Sequence, residues 1–300
     1  MAYVGVDPWR WQYFADVPCP PGVTIPIDDP WAWELYPRWR WIYDKLAVAE
    51  SQGLACAPHG IAPRRYPVFS KPVVNLKGMG AGGFVLRGPR DYARRETPGH
   101  FWMPLLTGAH VSSDFAVLDG RPRWSRHTLG IPRRAGTFDR WEILAAKPKR
   151  LERYLGAWVR RHMAGFSGVM NFESIGGRII EVHLRMAEQW LDLNGAGWLA
   201  AVNRLYAEGE WRFRDRPRPG YSVVLWGDHR PRHRRIDPVA VEALRRLPGV
   251  SSIQITFDPV TPPWAHAMPP GGFRLAIVNG SDLAACRAAR RRLAALFDRS

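Results

Sequence analysis

Cysteine is scarce in this chain. Cys19, Cys56 and Cys286 are three in 300 residues, odd in number and far apart. They offer no disulfide framework and no CxxC half of a zinc ribbon, so the expected setting is the reducing cytoplasm. Long apolar runs are missing as well: no stretch approaches the ~18 residues that a membrane helix needs. The opening segment, MAYVGVDPWRWQYF, lacks a basic stretch followed by an apolar one, which argues against a secretory leader. No internal repeat or low-complexity tract is visible. Acidic residues are few. The 27 Asp and Glu against 43 Lys and Arg leave a net charge of +16. No nucleic-acid motif accompanies that charge, so it reads as an arginine-rich solvated surface and not as a nucleic-acid interface.

What is present is the composition of a folded chain. The 46% hydrophobic and 23% charged residues exclude disorder along the whole length, and the length allows one large domain or two to three packed subdomains. Residues 1–40 hold Trp9, Trp11, Trp31, Trp33 and Trp39 among seven prolines. The prolines forbid a long helix or a central strand, so this segment is expected as an irregular arm with its aromatic rings buried across the body. Helical spacing over 41–53 predicts a helix ending at Gly53. YPVFSKP predicts a strand, and KGMGAGG at 77–83 a glycine-rich loop. Alternation over 100–130 predicts strands with a hairpin turn at Asp119-Gly120. Residues 149–163 form an amphipathic pattern. GVMNFES and RIIEVHLR read as two strands joined at Gly176-Gly177, and 187–207 as mainly helical. After a basic, proline-broken connector at 208–220, residues 221–300 alternate strands and helices, the last helix capped by Ser281. The fold class is α+β.

Three segments carry candidate chemistry. Lys71 precedes the glycine-rich loop, and a backbone free to fold closely beside a lysine suits phosphate. Glu181, His183 and Arg185 alternate along one strand and share a face, and pairing through the tight turn brings Glu173 beside them. Two carboxylates beside a phosphate site are how proteins hold Mg²⁺ between nucleotide oxygens. Their mutual repulsion predicts that neutralising Glu181 leaves apo stability unchanged or slightly raised, with Arg185 as the compensating charge. The arginines of the last helix read as its solvated face.

The order of these pieces over about residues 40–205 resembles the ATP-grasp superfamily, in the branch of biotin carboxylase, carbamoyl-phosphate synthetase and carboxylate–amine ligases. The resemblance implies a core at 41–207 whose two α+β subdomains enclose a nucleotide cleft, preceded by the 1–40 arm. The 208–220 connector then leads to a small C-terminal α+β subdomain at 221–300. It implies that Lys45 and Lys71 reach nucleotide phosphates and that Lys77, Gly78, Gly80, Gly82 and Gly83 belong to a lid over them. Glu173, Glu181 and His183 correspond to metal-binding positions, and Arg185 to the arginine that supports the transferred phosphoryl group. His183 stands where the family's E-x-N-x-R signature has asparagine. The hinge WMPLLTG at 102–108 lacks the glutamates common there, which leaves adenine to backbone groups and apolar contacts. The implied activity is an ATP- and Mg²⁺-dependent ligase joining a small polar carboxylate to an amine through an acyl phosphate. The alternative is a non-catalytic homologue that binds a nucleotide or a partner protein. The stretch before Lys45 is shorter than the family's N-terminal subdomain, which raises the expectation of a partner chain in its place.

Overall fold

Proline keeps most of the first forty residues out of long regular elements. The computed structural model describes residues 2–6, 8–14, 17–76, 80–134, 136–228, 236–257 and 272–297. In the arm, β1 (Tyr3–Val4) pairs in parallel with β2 (Ile25–Pro26), and one helix forms after all, α1 (Asp29–Leu35). Pro30 is tolerated there because it sits in the first turn, and Asp28 caps the helix by accepting from Trp31 N–H at 3.0 Å. The arm's buried anchors are Tyr3, Phe14, Ile25 and Ile27, while Trp33 and Trp39 pack against the core only in part. Trp11 and Trp31 are 36% and 40% exposed, and Trp9, Trp33 and Trp39 are half-buried. Guanidinium groups lie over three of these rings: Arg274 over Trp9, Arg40 over Trp33 and Arg38 over Trp39. The excess of arginine therefore covers aromatic surface that the sequence reading assigns to the core.

The helix expected over 41–53 is shorter. A 3₁₀ helix runs over Pro37–Tyr43, and α2 (Lys45–Glu50) starts where Asp44 caps it by accepting from Ala47 N–H at 2.9 Å. Then follow β3 (Ala57–Pro58), β4 (Val68–Pro72), β5 (Phe84–Leu86), α3 (Pro89–Arg95) and β6 (His100–Pro104). These four strands make a small sheet in the order β3-β6-β4-β5. Just past the end of β4 the chain meets the start of α2, where Lys45 N–H donates to Val73 O at 2.9 Å.

The second sheet holds β7 (His110–Leu118), β8 (Arg121–Pro132) and β9 (Phe138–Ile143). After α4 (Lys149–His162) it adds β10 (Gly168–Ile175) and β11 (Arg178–His183). The long helix predicted over 187–207 is instead a 3₁₀ turn and α5 (Trp198–Glu208), because Gly195 and Gly197 take positive φ of 109° and 82°. β12 (Gly220–Gly227), α6 (Pro238–Arg245), β13 (Val250–Ile255), β14 (Phe273–Gly280) and α7 (Leu283–Phe297) complete the chain's elements. Asp282, not Ser281, caps α7, accepting from Ala285 N–H at 2.9 Å. β12 pairs with both β9 and β14, so the C-terminal strands extend the second sheet to eight strands, β11-β10-β7-β8-β9-β12-β14-β13. One face of its first half is mostly apolar, with Ser113 bonded to His127 and Ser125 to Glu152 of α4 as polar pairs within it. Phe115, Phe172 and Val182 pack there against Leu155, Trp158 and Val159 of α4. The C-terminal half packs Val223, Ile253 and Val278 against Cys286, Leu293 and Phe297.

The outer edge of β11 is closed by a side chain. The Gln52 amide donates to Ile179 O at 2.9 Å and accepts from Ile179 N–H at 2.8 Å, while also taking Tyr154 O–H at 2.8 Å. This mimics a further strand and fastens the end of α2 to the sheet edge. Gln52→Ala leaves two backbone groups without partners and is expected to cost about 2 kcal/mol in urea denaturation. An unchanged midpoint would show that water replaces the amide at no cost.

Candidate functional site

The polar residues of β10 and β11 that carry the candidate chemistry sit on the face opposite α4. Through the tight turn, Glu173 of β10 lies directly across from Glu181 of β11, and Asn171 across from His183. Gly176 and Gly177 take φ of 57° and 79°, the left-handed pair that such a turn requires. Gly176 is constrained a second time, because an added Cβ would stand 2.3 Å from Thr107 O. The hairpin tip is thereby pressed onto the hinge between the two sheets, where Gly176 N–H donates to Ala109 O at 3.0 Å.

From the other side, the small sheet and α2 bring two lysines. Lys45 Nζ lies 2.9 Å from Glu181 Oε1, and both side chains are buried. Lys71 Nζ donates to Ile180 O at 2.6 Å. Burial pulls the Lys71 ammonium down to about 8, with Lys45 adding to it, while Glu181 and Glu173 resist. Burial would raise the Glu181 carboxyl, but Lys45, His183 and Lys71 outweigh it and hold it well below the ordinary range. Glu173 is partly exposed and lies 3.1 Å from His110 Nε2, and that imidazole outweighs burial and lowers its carboxyl.

His183 and Arg185 meet a group from the arm. His183 Nδ1 lies 3.0 Å from each carboxylate oxygen of Asp29, and Arg185 Nη2 lies 3.1 Å from one of them. Tyr43 O–H donates to the other at 3.3 Å. Burial alone would lower the His183 imidazole, but the Asp29 carboxylate overrides it and raises the pKa to about 9. Asp29 in turn is lowered, burial being outweighed by Arg185 and His183. Arg185 is thus paired with Asp29, and Lys45 compensates Glu181, which reverses the assignment of Arg185 as the charge balancing the carboxylates.

Lys45, Lys71, Glu173, Glu181, His183 and Arg185 all converge at one place. Gly82 and Gly83 fold back onto the small sheet, where added Cβ atoms would stand 3.0 Å from Pro72 and 2.7 Å from the Phe69 ring. Gly80 begins that turn, accepting from Gly83 N–H at 3.1 Å. Lys77 and Gly78 lie outside the described residues. Sequence reasoning missed Asp29 and Tyr43, which carry no local signal. It also missed His110 and Asp114. Those two had one: His110, Ser112 and Asp114 alternate along the strand and so share one face. Asp114 is buried and accepts from Asn171, Ala187 N–H and the Trp190 indole. Beside His110 an open cleft of about 650 Å³ runs between the hinge at 106–109 and the junction of β8 and β9, with Arg133, Arg134 and Phe138 on its wall.

One donor atom each from Glu173, Glu181 and His183 lie within 4.8 Å of one another. The two carboxylates suit a hard cation such as Mg²⁺, and the imidazole does not.

Two α+β layers closing on a polar cleft through a hinge define the ATP-grasp fold, and solved structures of that fold match this chain. An L-amino acid ligase from Bacillus licheniformis superposes with a TM-score of 0.60 at 14% identity, over 86% of this chain and 71% of that one. N5-carboxyaminoimidazole ribonucleotide synthetase from Thermus thermophilus gives 0.60 at 14%, over 93% and 83%. The biotin carboxylase domain of Hydrogenobacter thermophilus 2-oxoglutarate carboxylase, in complex with MgADP, ADP and bicarbonate, gives 0.58 at 14%, over 93% and 70%. No protein-family model matches the sequence, and no curated protein matches it either. No helix among the described residues is long and apolar enough to cross a membrane.

Proposed function

We propose that this chain is an ATP-dependent ligase that joins a small polar carboxylate to an amine. The observation that carries the proposal is the convergence of Lys45 and Lys71 from one layer with Glu173 and Glu181 from the other, beside a cleft that the hinge lines. In this reading a substrate carboxylate oxygen takes the γ-phosphoryl group and ADP leaves. The amine nitrogen then attacks the acyl carbon, the C–O bond to phosphate breaks and the nitrogen gives up a proton to the departing phosphate, so that an amide and inorganic phosphate result. Lys45 and Lys71 leave Glu181 and the Ile180 carbonyl to meet the nucleotide phosphates. A divalent cation at Glu173 and Glu181 would supply further positive charge opposite those phosphates. The backbone of 106–109 accepts the adenine, as the absence of hinge glutamates implies. Arg185, oriented by Asp29, faces the reacting end. A partner chain completing the acceptor side, and a cytoplasmic setting, belong to the same proposal.

Metal-dependent ADP release in the presence of pooled amino acids tests the reading. No ADP above background, with ATP still bound, would favour the non-catalytic homologue. Lys71→Ala is expected to weaken ATP binding about tenfold or more in calorimetry, the worth of one charge-assisted contact. The Arg291→Ala, Arg292→Ala pair on the exposed face of α7 is expected to change it by less than about twofold, since exposed charges at a distance are screened. The reverse ranking would move the phosphate site to the basic tail.

A further inference from the structure

We infer that Glu173, Glu181 and His183 form a site for a first-row transition cation, with Mn²⁺ favoured over Mg²⁺, and that Asp29 of the arm is the positioning residue that aims the imidazole into it. The inference deepens the ligase reading at the same cleft, and its test does not depend on turnover.

The imidazole is held from behind. Nδ1 lies 3.0 Å from both oxygens of Asp29, so it is the protonated nitrogen facing the carboxylate. That leaves Nε2 as the end that faces the carboxylates, and a bound cation takes the place of the proton that the imidazolium carries there. His183 is only 5% exposed, and Nε2 is a buried atom with no hydrogen-bond partner. Its neighbour is Glu181 Oε2 at 3.6 Å, too far for a hydrogen bond. Such an atom is costly to leave unmet, and here it points at two carboxylates. The three donor atoms lie within 4.8 Å of one another. A small inward movement reaches the ~3 Å that separates ligands at right angles around an ion with bonds of about 2.1 Å.

The donor set then selects the ion. Mg²⁺ is hard, dehydrates reluctantly and takes oxygen. An imidazole nitrogen favours the divalent ions from Mn²⁺ onward in the first transition row. A carboxylate behind the ring fixes its tautomer and raises its basicity, the arrangement that metal-bound histidines commonly have. Lys45 is the competing cation, at 2.9 Å from Glu181 Oε1. It leaves Oε2 on the imidazole side, and a nucleotide phosphate that draws Lys45 away would tighten the metal site.

The full chain is titrated with MnCl₂, without nucleotide and with a methylene-bridged ATP analogue, and the bound Mn²⁺ is read by pulsed electron paramagnetic resonance. The expected result is nitrogen coupling from one imidazole in both conditions, with tighter binding when the analogue is present. Mg²⁺ should displace Mn²⁺ only in more than about tenfold excess. His183→Asn, which offers an oxygen instead, should abolish the coupling and bring the two affinities close together. Asp29→Asn should weaken Mn²⁺ on the order of tenfold and keep the coupling. Histidine labelled with ¹⁵N in the unmodified chain checks the ligand without any substitution. Bound Mn²⁺ without nitrogen coupling, displacement by equimolar Mg²⁺, or no Mn²⁺ binding in either condition overturns the inference. A chain that shows the coupling and releases no ADP keeps the metal site and loses the ligase reading.

Discussion

Glu181→Gln is expected to reduce ATP-dependent turnover by at least about 100-fold, the scale of removing one charged group from a preorganised site, and to destabilise the apo protein. The expected loss of stability is opposite to what carboxylate repulsion, read from the sequence alone, predicts. Glu181 does face Glu173 across the hairpin, and that contact is unfavourable. Three cations outweigh it. Lys45 is paired with Glu181 at 2.9 Å, and His183 and Lys71 also hold its charge. Gln keeps the shape and removes the charge, so the buried Lys45 ammonium loses its compensation. Stranding one member of a buried pair costs about 3 kcal/mol. Urea denaturation of apo wild type and variant reads the stability, and ADP release reads the activity. A variant as stable as wild type would mean that Lys45 finds water when its partner is neutral. A variant that still turns over ATP at the wild-type rate would remove Glu181 from the site.

Asp29→Ala should cost more, about 3–5 kcal/mol, because two buried cationic groups lose one carboxylate. His183 Nδ1, Arg185 Nη2 and Tyr43 O–H all face it. The variant should also change how stability depends on pH. In the wild type the His183 imidazole titrates near 9, against about 6.5 in the unfolded chain. Its raised pKa contributes stability that is complete below about pH 6.5 and is lost as pH rises toward 9. Lys71 acts in the opposite sense. Its ammonium titrates near 8 when folded and at about 10.4 when unfolded, so its burial costs stability below pH 8 and ceases to do so above about 10.4. Between about pH 6.5 and 8 the loss of the His183 contribution outweighs the smaller gains from Lys71 and from the lowered His127 imidazole, and wild-type stability should fall by on the order of 1 kcal/mol. In Asp29→Ala the imidazole has lost the anion that keeps its proton, and that fall should vanish. Denaturation midpoints at half-unit pH steps measure both curves. Parallel curves for the two proteins would show that Asp29 does not govern the imidazole.

Much of this architecture could be read locally. Alternating apolar residues marked β7, β8, β10 and β11. Left-handed glycines with Asp119 marked the two tight hairpins, because few other residues adopt that backbone. Those turns set Glu173 opposite Glu181, so the paired carboxylates were visible before any coordinates. Lys71 stood out by its place between a strand and a glycine-rich loop. Each of these depends on residues within about ten positions of one another, where chain geometry leaves little choice.

The remaining decisions belong to tertiary structure. Spacing alone extended two helices too far, since it could not weigh Asp44 as a cap or Gly195 and Gly197 as breaks against the apolar pattern. Nothing near Asp29 in the chain announces a partner for His183, which lies 154 positions away. Lys45 has a phosphate role by resemblance only, and its pairing with Glu181 waits for the closing of the two layers. The C-terminal strands could have formed a sheet of their own, and pairing of β12 with β9 made them part of the larger one. Local backbone preference acts over a few residues, whereas a buried charge is compensated by whatever the folded chain brings within about 4 Å of it. The carboxylates could therefore be named from their neighbours in sequence, but the charges that hold them, and the arm that aims His183, could be named only from their neighbours in space.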